Sequence, residues 1–251
     1  MLRLRPLVWL VVLGGLLGAV LPAAAASPAE ALLPQGDALY AQRADPAKAR
    51  GAAETYQKAL AADPQSLEAA WKAARAWYWV GKHTRDEEAR LAAFEKGVAA
   101  AKRAVSIAPQ AAEGHYWLGV NYALYGKAKG IAKSLELIDP IKEEMHKVIS
   151  LDPDFDQGGP YRVLGRLYFK LPGIFGGDND KAIRYLKTAI AKGPRMWLNH
   201  LYLAEVYIDE DECAKAKALL KQVIAGPPPQ GREPDWQDWR REAKALLKEC
   251  E

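Results

Sequence analysis

The sequence is poor in the residues that hold small exported proteins together or bind metal ions. Only two of its 251 residues are cysteine and only four are histidine. Two cysteines exclude a scaffold built on many disulfides. The four histidines lack the short spacings typical of metal sites, and they are His83, His115, His146 and His200. We therefore expect no metal ion and no cofactor.

Long runs of valine, isoleucine and threonine, which are typical of β-strands, are also missing. Without a strand before it, the glycine-rich segment 173–178 is interpreted as a turn and not as a phosphate-binding loop. No grouping of nucleophiles, bases or carboxylates indicates catalysis, so we expect no enzyme activity. The formal net charge of +4 favours neither nucleic acid nor an anionic membrane surface as a partner.

The N-terminal segment has the features of a secretory signal. Arg3 and Arg5 precede an apolar run at residues 7–21, and small residues follow at 24–26. A retained membrane anchor is the alternative, but the run is shorter than the ~20 residues that span a bilayer. We expect residues 1–26 to be removed and Ser27 to begin a soluble periplasmic protein. No cysteine lies near that junction, so we expect no lipid anchor and no stable membrane insertion.

Helix-ending prolines recur along the rest of the chain, each after an apolar segment with helical spacing. They are Pro64, Pro109, Pro153, Pro194 and Pro228, so the intervals between them are 45, 44, 41 and 34 residues. The last interval equals the tetratricopeptide (TPR) period of 34 residues, and the others are that period with insertions. A repeat of this size cannot bury its own apolar face, so neighbouring repeats must stack.

A second pattern lies inside the repeats, where a small residue is followed three positions later by tyrosine. The pairs are Gly119 with Tyr122, Gly165 with Tyr168, and Ala204 with Tyr207. We expect each small residue to let the second helix of its pair approach closely. The sequence therefore predicts an all-α, TPR-like solenoid of about five helical hairpins in a domain at 36–251, after a leader at 27–35. The predicted hairpins are 36–63, 67–107, 112–151, 158–192 and 197–225, with a capping helix at 236–250.

The concave face of such a solenoid is the usual binding surface. Counting from the small residue of each first helix predicts an aromatic and cationic groove there. Its predicted binding residues are Trp71, Arg75, Tyr78, Tyr116, Arg162, Arg166 and Phe169. Arginine pairs bidentately with carboxylates, which favours an acidic group on the ligand or partner. Packing of the aromatic residues between repeats is the alternative interpretation.

One stretch resembles a more specific family. Residues 158–165 read Gly-Gly-Pro-Tyr-Arg-Val-Leu-Gly, and Lys-Leu-Pro and Gly-Gly-Asp follow at 170–172 and 176–178. With the pattern at 116–224, they resemble the T component (TatT-like) of tripartite ATP-independent periplasmic (TRAP) transporters. The resemblance implies an exported helical-repeat protein that assembles with a TRAP solute-binding protein and holds a small apolar or amphipathic acid. Members of that family are often lipoproteins, and the missing cysteine departs from that pattern.

Two functions follow from these patterns. The first is a non-catalytic periplasmic TPR adaptor or ligand-binding protein associated with a TRAP transporter. The alternative is a general periplasmic TPR protein-interaction scaffold without a transporter link. The sequence leaves the oligomeric state open.

The two cysteines stand at opposite ends of the last two predicted helices. Cys213 begins the second helix of the fifth hairpin, and Cys250 ends the capping helix. If these helices pack antiparallel, the two residues come within about one helical turn of each other. The sequence therefore predicts a Cys213–Cys250 disulfide, and two free thiols are the alternative.

Overall fold

The computed structural model describes residues 28–250, and the predicted signal at 1–26 lies outside them. The described residues form twelve α-helices and a short 3-10 turn at Gly173–Phe175, and they contain no β-strand. The helices are α1 (Pro28–Ala41), α2 (Pro46–Ala62), α3 (Leu67–His83), α4 (Glu87–Ile107), α5 (Ala112–Lys129), α6 (Ile131–Glu136), α7 (Ile138–Leu151), α8 (Phe155–Lys170), α9 (Asn179–Lys192), α10 (Trp197–Asp209), α11 (Cys213–Ala225) and α12 (Glu233–Glu249).

Local signals account for where several of these helices begin. The side chains of Asp45, Ser66, Asp86 and Asp178 each accept a hydrogen bond from a backbone N–H in the first turn of the helix that follows. The predicted hairpins 67–107, 112–151 and 197–225 have the bounds of the observed helix pairs, and the third pair contains an additional short helix, α6. The fourth hairpin, predicted at 158–192, begins at Phe155 in the structure. The prediction of an all-α helical-repeat solenoid is confirmed.

The small residues at the hairpin contacts have the predicted packing role. A Cβ atom on Gly119 would lie 2.5 Å from the Met145 side chain, and one on Gly165 would lie 2.6 Å from Leu186. A larger residue at Gly165 would push against Leu186 and the Ala182 backbone, and one at Gly119 would displace the end of the Met145 side chain, so the glycines allow α9 and α7 to approach α8 and α5 closely.

The first hairpin is longer than predicted. Helix α1 begins at Pro28, so the described part of the segment predicted as a leader is helical. The Tyr56 ring of α2 packs so closely on Gly36 of α1 that a Cβ there would lie 2.5 Å from it. This contact joins α1 to α2 as a regular pair. The capping helix also begins earlier than predicted, at Glu233.

Helix α8 begins with a sharp kink. Asp156, Gln157 and Gly158 have φ values of 47°, 55° and 82°, in the left-handed region. Gly158 is required there, because a Cβ would lie 2.6 Å from the Ala189 carbonyl oxygen. The buried amide of Asn199 holds the kink by donating to the carbonyls of Gln157, at 3.1 Å, and Ala189, at 2.8 Å. The regular part of α8 therefore starts where the fourth hairpin was predicted to start.

Helix α12 does more than cap the end of the solenoid. It packs on α10 and α11, and its leading end reaches the first two hairpins. Asp235 forms a buried ion pair with Arg43, which follows α1. The Asp238 carboxylate lies 2.9 Å from the His83 ring at the end of α3. Helix α12 thus crosses the concave face from the last hairpin to the second, where the sequence predicted only an end cap.

Between Pro28 and Cys250, none of the helices combines the length and the apolar content needed to cross a membrane.

Cys213 and Cys250 are joined by a disulfide. Their Cα atoms lie 5.4 Å apart, and the two residues are 37 positions apart in the sequence. We expect this bond to stabilise the protein by about 3–4 kcal/mol, because it closes a long loop in the unfolded chain. Chemical denaturation with and without reductant measures the difference. A Cys213→Ser/Cys250→Ser variant is the control, and reductant should leave its stability unchanged. Two titratable thiols in the denatured, unreduced protein would contradict the pairing.

Candidate functional site

The concave face encloses a cavity of about 560 Å³. Its walls come from α3, α5, α8 and α10, and α12 closes one side. Most of the lining is apolar or aromatic, and it includes Tyr78, Trp117, Val120, Ala123, Leu167, Met196, Leu198, Tyr202 and Trp239. The volume lies within the range of small-molecule sites in proteins, and it could also admit a few side chains of a partner.

Asp156 organises the polar part of the cavity. Its carboxylate accepts hydrogen bonds from the Tyr116 hydroxyl, at 2.9 Å, and from the guanidinium groups of Arg162 and Arg232. Arg162 also donates to the Tyr116 oxygen, at 2.8 Å, and to the Asn199 amide oxygen, at 2.9 Å. One carboxylate therefore joins α5, α8 and the segment leading into α12.

The charges of this network hold Asp156 ionised. Burial alone would raise the pKa of its carboxyl, but the positive charges of Arg232 and Arg162 and the hydrogen bonds from Tyr116 and Arg162 outweigh it. The net result is a pKa below the ordinary aspartate value. Burial also raises the pKa of the Tyr116 hydroxyl, which stays protonated and can donate. The carboxylate is therefore ionised and fully bonded within the protein.

The cations of the cavity fall into two groups. Six cationic side chains and two carboxylates line it, so its charge is positive. The inner cations, Arg162 and Arg232, share the single negative charge of Asp156, so one positive charge of this group is not neutralised by it. Lys82, Lys127 and Lys170 are exposed at the rim. Lys82 pairs with Asp238 and Lys170 with Glu205, whereas Lys127 has no ion-pair partner within residues 28–250. An incoming ligand or partner therefore meets positive charge both inside the cavity and at Lys127.

Arg166 lies between these groups. Its guanidinium forms an ion pair with Glu205, at 2.6 Å, and lies 4.1 Å from the centre of the Tyr202 ring. Its side chain is 27% exposed, so it can still meet a ligand in the cavity. A ligand carboxylate would have to compete with Glu205 for it.

Four of the seven predicted binding residues line the cavity, namely Tyr78, Tyr116, Arg162 and Arg166. Trp71 and Arg75 lie outside it. The Arg75 guanidinium lies between two rings, 4.9 Å from the centre of the Trp71 ring and 4.1 Å from the centre of the Tyr40 ring of α1. Phe169 also lies outside the lining, with the Lys170 ammonium 4.2 Å from its ring centre.

The expected role of Arg162 needs correction. The sequence predicted Arg162 as a binding residue of the groove. The residue is only 4% exposed, and its guanidinium donates to Asp156, Tyr116 and Asn199. Replacing it with alanine would remove one of the two cationic partners of the buried Asp156, which is destabilising. Arg162 therefore builds the cavity floor, and its removal would not isolate an effect on binding.

Several lining residues were not found from the sequence. Lys170 directly follows the predicted Phe169, and Lys127 lies near the end of the same helix as Tyr116, but neither was counted as a groove position. Trp239 lies in the predicted capping helix, and no sequence pattern shows that this helix faces the cavity. The Asp156–Arg232 pair spans 76 positions, and no local pattern predicts such a contact.

No group of three histidine, cysteine, aspartate or glutamate side chains is placed to hold a metal ion in the part of the chain that the structure describes.

Two family models match the chain. The one described as "Regulator of microtubule dynamics protein 1-3" matches residues 32–173, which is more than half of the sequence. The one described as "Tetratricopeptide repeat" matches residues 176–237. No curated protein matches the chain.

Several solved structures have a similar fold. A thermophilic TPR protein of Thermus thermophilus, TTC0263, is 20% identical with a TM-score of 0.65, over 88% of this chain and 99% of that one. PilW, a type IV pilus biogenesis factor, is 17% identical with a TM-score of 0.59, over 89% and 94% of the two chains. PilF of Pseudomonas aeruginosa is 15% identical with a TM-score of 0.55, over 88% and 90%. At these identities the likeness shows the TPR-type fold alone, and it gives no support to the TRAP resemblance.

Replacing Asp156 with asparagine should cost about 3–5 kcal/mol of stability at neutral pH, because it leaves two guanidinium groups without their counter-charge. The pKa of Asp156 is lower in the folded than in the unfolded state, so its stabilising effect is present above the unfolded pKa and is lost as pH falls through the folded one. The stability difference between wild type and variant should therefore shrink below about pH 4. Urea denaturation from pH 7 to pH 2.5 measures it.

The control is Asp154→Asn, since Asp154 is exposed and pairs only with Lys192 at the surface. It should change stability by less than about 1 kcal/mol. A difference between Asp156→Asn and wild type that is the same at all these pH values would contradict the assignment.

Proposed function

This chain belongs to the regulator of microtubule dynamics protein 1-3 family, and we propose that it is a non-catalytic TPR scaffold that binds a protein partner in its concave cavity. The observation that carries the proposal is the cavity itself, with apolar walls and more cationic than anionic side chains in its lining. TPR-type solenoids use their concave surfaces for binding.

The lining defines the chemistry of the partner. Tyr78, Trp117 and Tyr202 offer rings to apolar or aromatic side chains, and Lys127 and Lys170 offer positive charge at the entrance. A partner segment that inserts an apolar side chain and carries an acidic residue beside it would match both features. The acidic residue would also speed the encounter, since complementary charges steer association.

The family description concerns microtubule dynamics, and we do not propose microtubules as the partner. We propose that residues 1–26 direct export, which the positive charges, apolar run and small residues of that segment support. An exported chain would work in the periplasm, away from any microtubule. N-terminal sequencing of the mature protein tests this, and the expected first residue is Ser27.

A second candidate is the TRAP-associated function, in which the cavity holds a small amphipathic acid and the surface contacts a TRAP solute-binding protein. The position of α12 favours it. Because α12 crosses the concave face, the site is a partly covered cavity of small-molecule size. Apolar walls and a cationic rim would suit an acid with an apolar body.

Replacing Ala123 with tryptophan should abolish binding at the cavity, because Ala123 lies in the lining and a large ring there would fill part of the space. The control is Ala99→Trp, an exposed position on α4 away from the cavity. A photo-crosslinking phenylalanine derivative placed at the exposed rim position 127 in the producing cells should yield an adduct with a second protein, and the same group at 99 should not. No adduct from position 127 would contradict the scaffold proposal.

Native mass spectrometry separates the two candidates. A small acid in the cavity should appear as an additional mass of a few hundred daltons on the wild-type protein and be missing from Ala123→Trp. The scaffold proposal expects no such mass and a protein adduct in the crosslinking experiment.

A further inference from the structure

The turn between α8 and α9 holds two large apolar side chains in solvent. Ile174 is 86% exposed and Phe175 is 42% exposed. The N–H groups of Phe175 and Gly177 both donate to the Pro172 carbonyl oxygen, at 2.9 and 3.1 Å. These bonds hold the turn in one conformation, so little order has to be gained when it binds. Single exposed apolar residues are common on proteins, but two neighbours on one ordered turn form an apolar tip.

An acidic turn between α10 and α11 lies beside this apolar turn. It contains four consecutive carboxylates, at 209–212. The side-chain amide of Asn179, at the start of α9, donates to the carboxylates of Asp209, at 2.9 Å, and Glu210. This bridge joins the two turns into one surface. We call residues 172–180 together with 209–212 the acidic tip.

The acidic tip has an excess of negative charge. Six carboxylates belong to it. The cations in and beside it are already paired, and the pairs are Lys181–Asp178, Lys215–Glu212 and Lys170–Glu205. Four exposed carboxylates of the tip have no ion-pair partner among residues 28–250, namely Asp180, Asp209, Glu210 and Asp211. A partner that covers the apolar side chains of the tip therefore has to bring positive charge with it.

The solvent-facing side of α12 carries such charge. Because Trp239 of α12 is buried against the protein, the opposite side of the helix faces solvent. A shallow depression of about 370 Å³ runs along this side, lined by Gln237, Arg240, Arg241, Lys244, Ala245 and Lys248. We call these six residues the basic face. Arg241 pairs with Asp238, whereas Lys244 and Lys248 are exposed and have no ion-pair partner within residues 28–250.

The carboxylates of α12 leave the centre of the basic face free. Helical geometry places Glu242 and Glu249 about 100° or more round the helix from Lys248. Glu233 lies in the first turn, at the other end of the helix. The basic face is therefore positive around Lys244 and Lys248, and Ala245 and the aliphatic stems of the lysines give it apolar surface.

The disulfide places the acidic tip and the basic face side by side on one molecule. Cys213 follows the acidic turn directly, Cys250 follows α12, and their Cα atoms lie 5.4 Å apart. Among residues 28–250, no ion pair joins the tip to the basic face of the same copy. Two neighbouring surfaces of opposite charge are self-complementary, because a two-fold axis can pair each with its opposite on a second copy.

We propose that the chain associates with a second copy of itself, with the acidic tip of each copy docked on the basic face of the other. Ile174 and Phe175 lie in the depression against the lysine stems, and the carboxylates of the tip meet the ammonium groups. A second copy fits better than an unrelated basic protein, because the complement of the tip is present on the chain and each contact is made twice. The association does not depend on the cavity, whose lining contains no residue of either surface.

Sedimentation velocity of the purified chain tests the proposal. We expect a monomer–dimer equilibrium that shifts to monomer on dilution and at high salt, since attraction between exposed charges is screened. The cavity variant Ala123→Trp should dimerise as the wild type does, so a failure of the cavity proposal would leave this result unchanged. A wild-type chain that stays monomeric up to millimolar concentration would overturn the proposal.

Charge reversal identifies the two surfaces. One variant, Asp180→Lys/Glu210→Lys, changes the tip, and the other, Lys244→Glu/Lys248→Glu, changes the basic face. Each alone should dimerise at least about tenfold more weakly, because like charges then face each other twice. An equimolar mixture of the two variants should dimerise again, since each reversed surface then meets its complement. Because all four positions are exposed, we expect both variants to fold, which circular dichroism and melting would check.

The matched control is Glu54→Lys/Glu95→Lys, which makes the same change of charge at exposed positions on α2 and α4. It should dimerise as the wild type does. The variant Ile174→Ser/Phe175→Ser keeps all charges and should still weaken the dimer, because it removes the apolar contact. Dimers that persist in both charge-reversal variants, or a mixture of these variants that stays monomeric, would show that the tip and the basic face do not bind each other.

Discussion

The buried carboxylate of Asp156 is the contact on which the concave site depends. It accepts from Tyr116 of α5, Arg162 of α8 and Arg232 of the segment before α12, and it lies in a left-handed kink that no regular helix start would produce. Without this carboxylate the buried Arg162 and the half-buried Arg232 would both lose their counter-charge, which is unfavourable, so the three elements are fixed together. With the Arg43–Asp235 pair and the Cys213–Cys250 disulfide, this group holds α12 over the cavity.

The charged groups that hold the site together differ from those that can contact a ligand or partner. Asp156 pairs with Arg162 of its own helix and with Arg232 before α12, and Asp235 of α12 pairs with Arg43 of the first hairpin. The Asp156–Arg232 and Arg43–Asp235 pairs hold α12 across the concave face. Lys127 remains at the rim without an ion-pair partner among residues 28–250, whereas Lys82 and Lys170 pair with Asp238 and Glu205. An open TPR groove could bind an extended partner along its length, whereas the partial cover by α12 favours a partner segment or ligand that fits a cavity.

Much of the fold could be predicted from the sequence, because its signals are local. The recurring prolines mark where helices end, and the small residues Gly119 and Gly165 mark where the two helices of a pair approach each other. Each of these signals depends on contacts within one helix pair. The groove was predicted less well. Trp71 and Arg75 have the helical positions expected of groove residues, but α1 covers them. The sequence of the repeat that contains them does not show that α1 packs there. Arg162 has the right position too, yet its partner Asp156 depends on a kink whose φ values no residue pattern predicted. The closure by α12 depends on pairs such as Arg43–Asp235, which join opposite ends of the chain.

A double-mutant cycle between Asp156 and Arg232 tests this account most directly. The free energy of unfolding would be measured by urea denaturation for wild type, Asp156→Asn, Arg232→Gln and the double variant. If Asp156 fixes α12 through Arg232, the two substitutions should be coupled by about 1–3 kcal/mol, and the double variant should be less destabilised than the sum of the single ones. Additive effects within about 0.5 kcal/mol would show that the two groups act independently, and the carboxylate would then not be what holds α12 over the cavity.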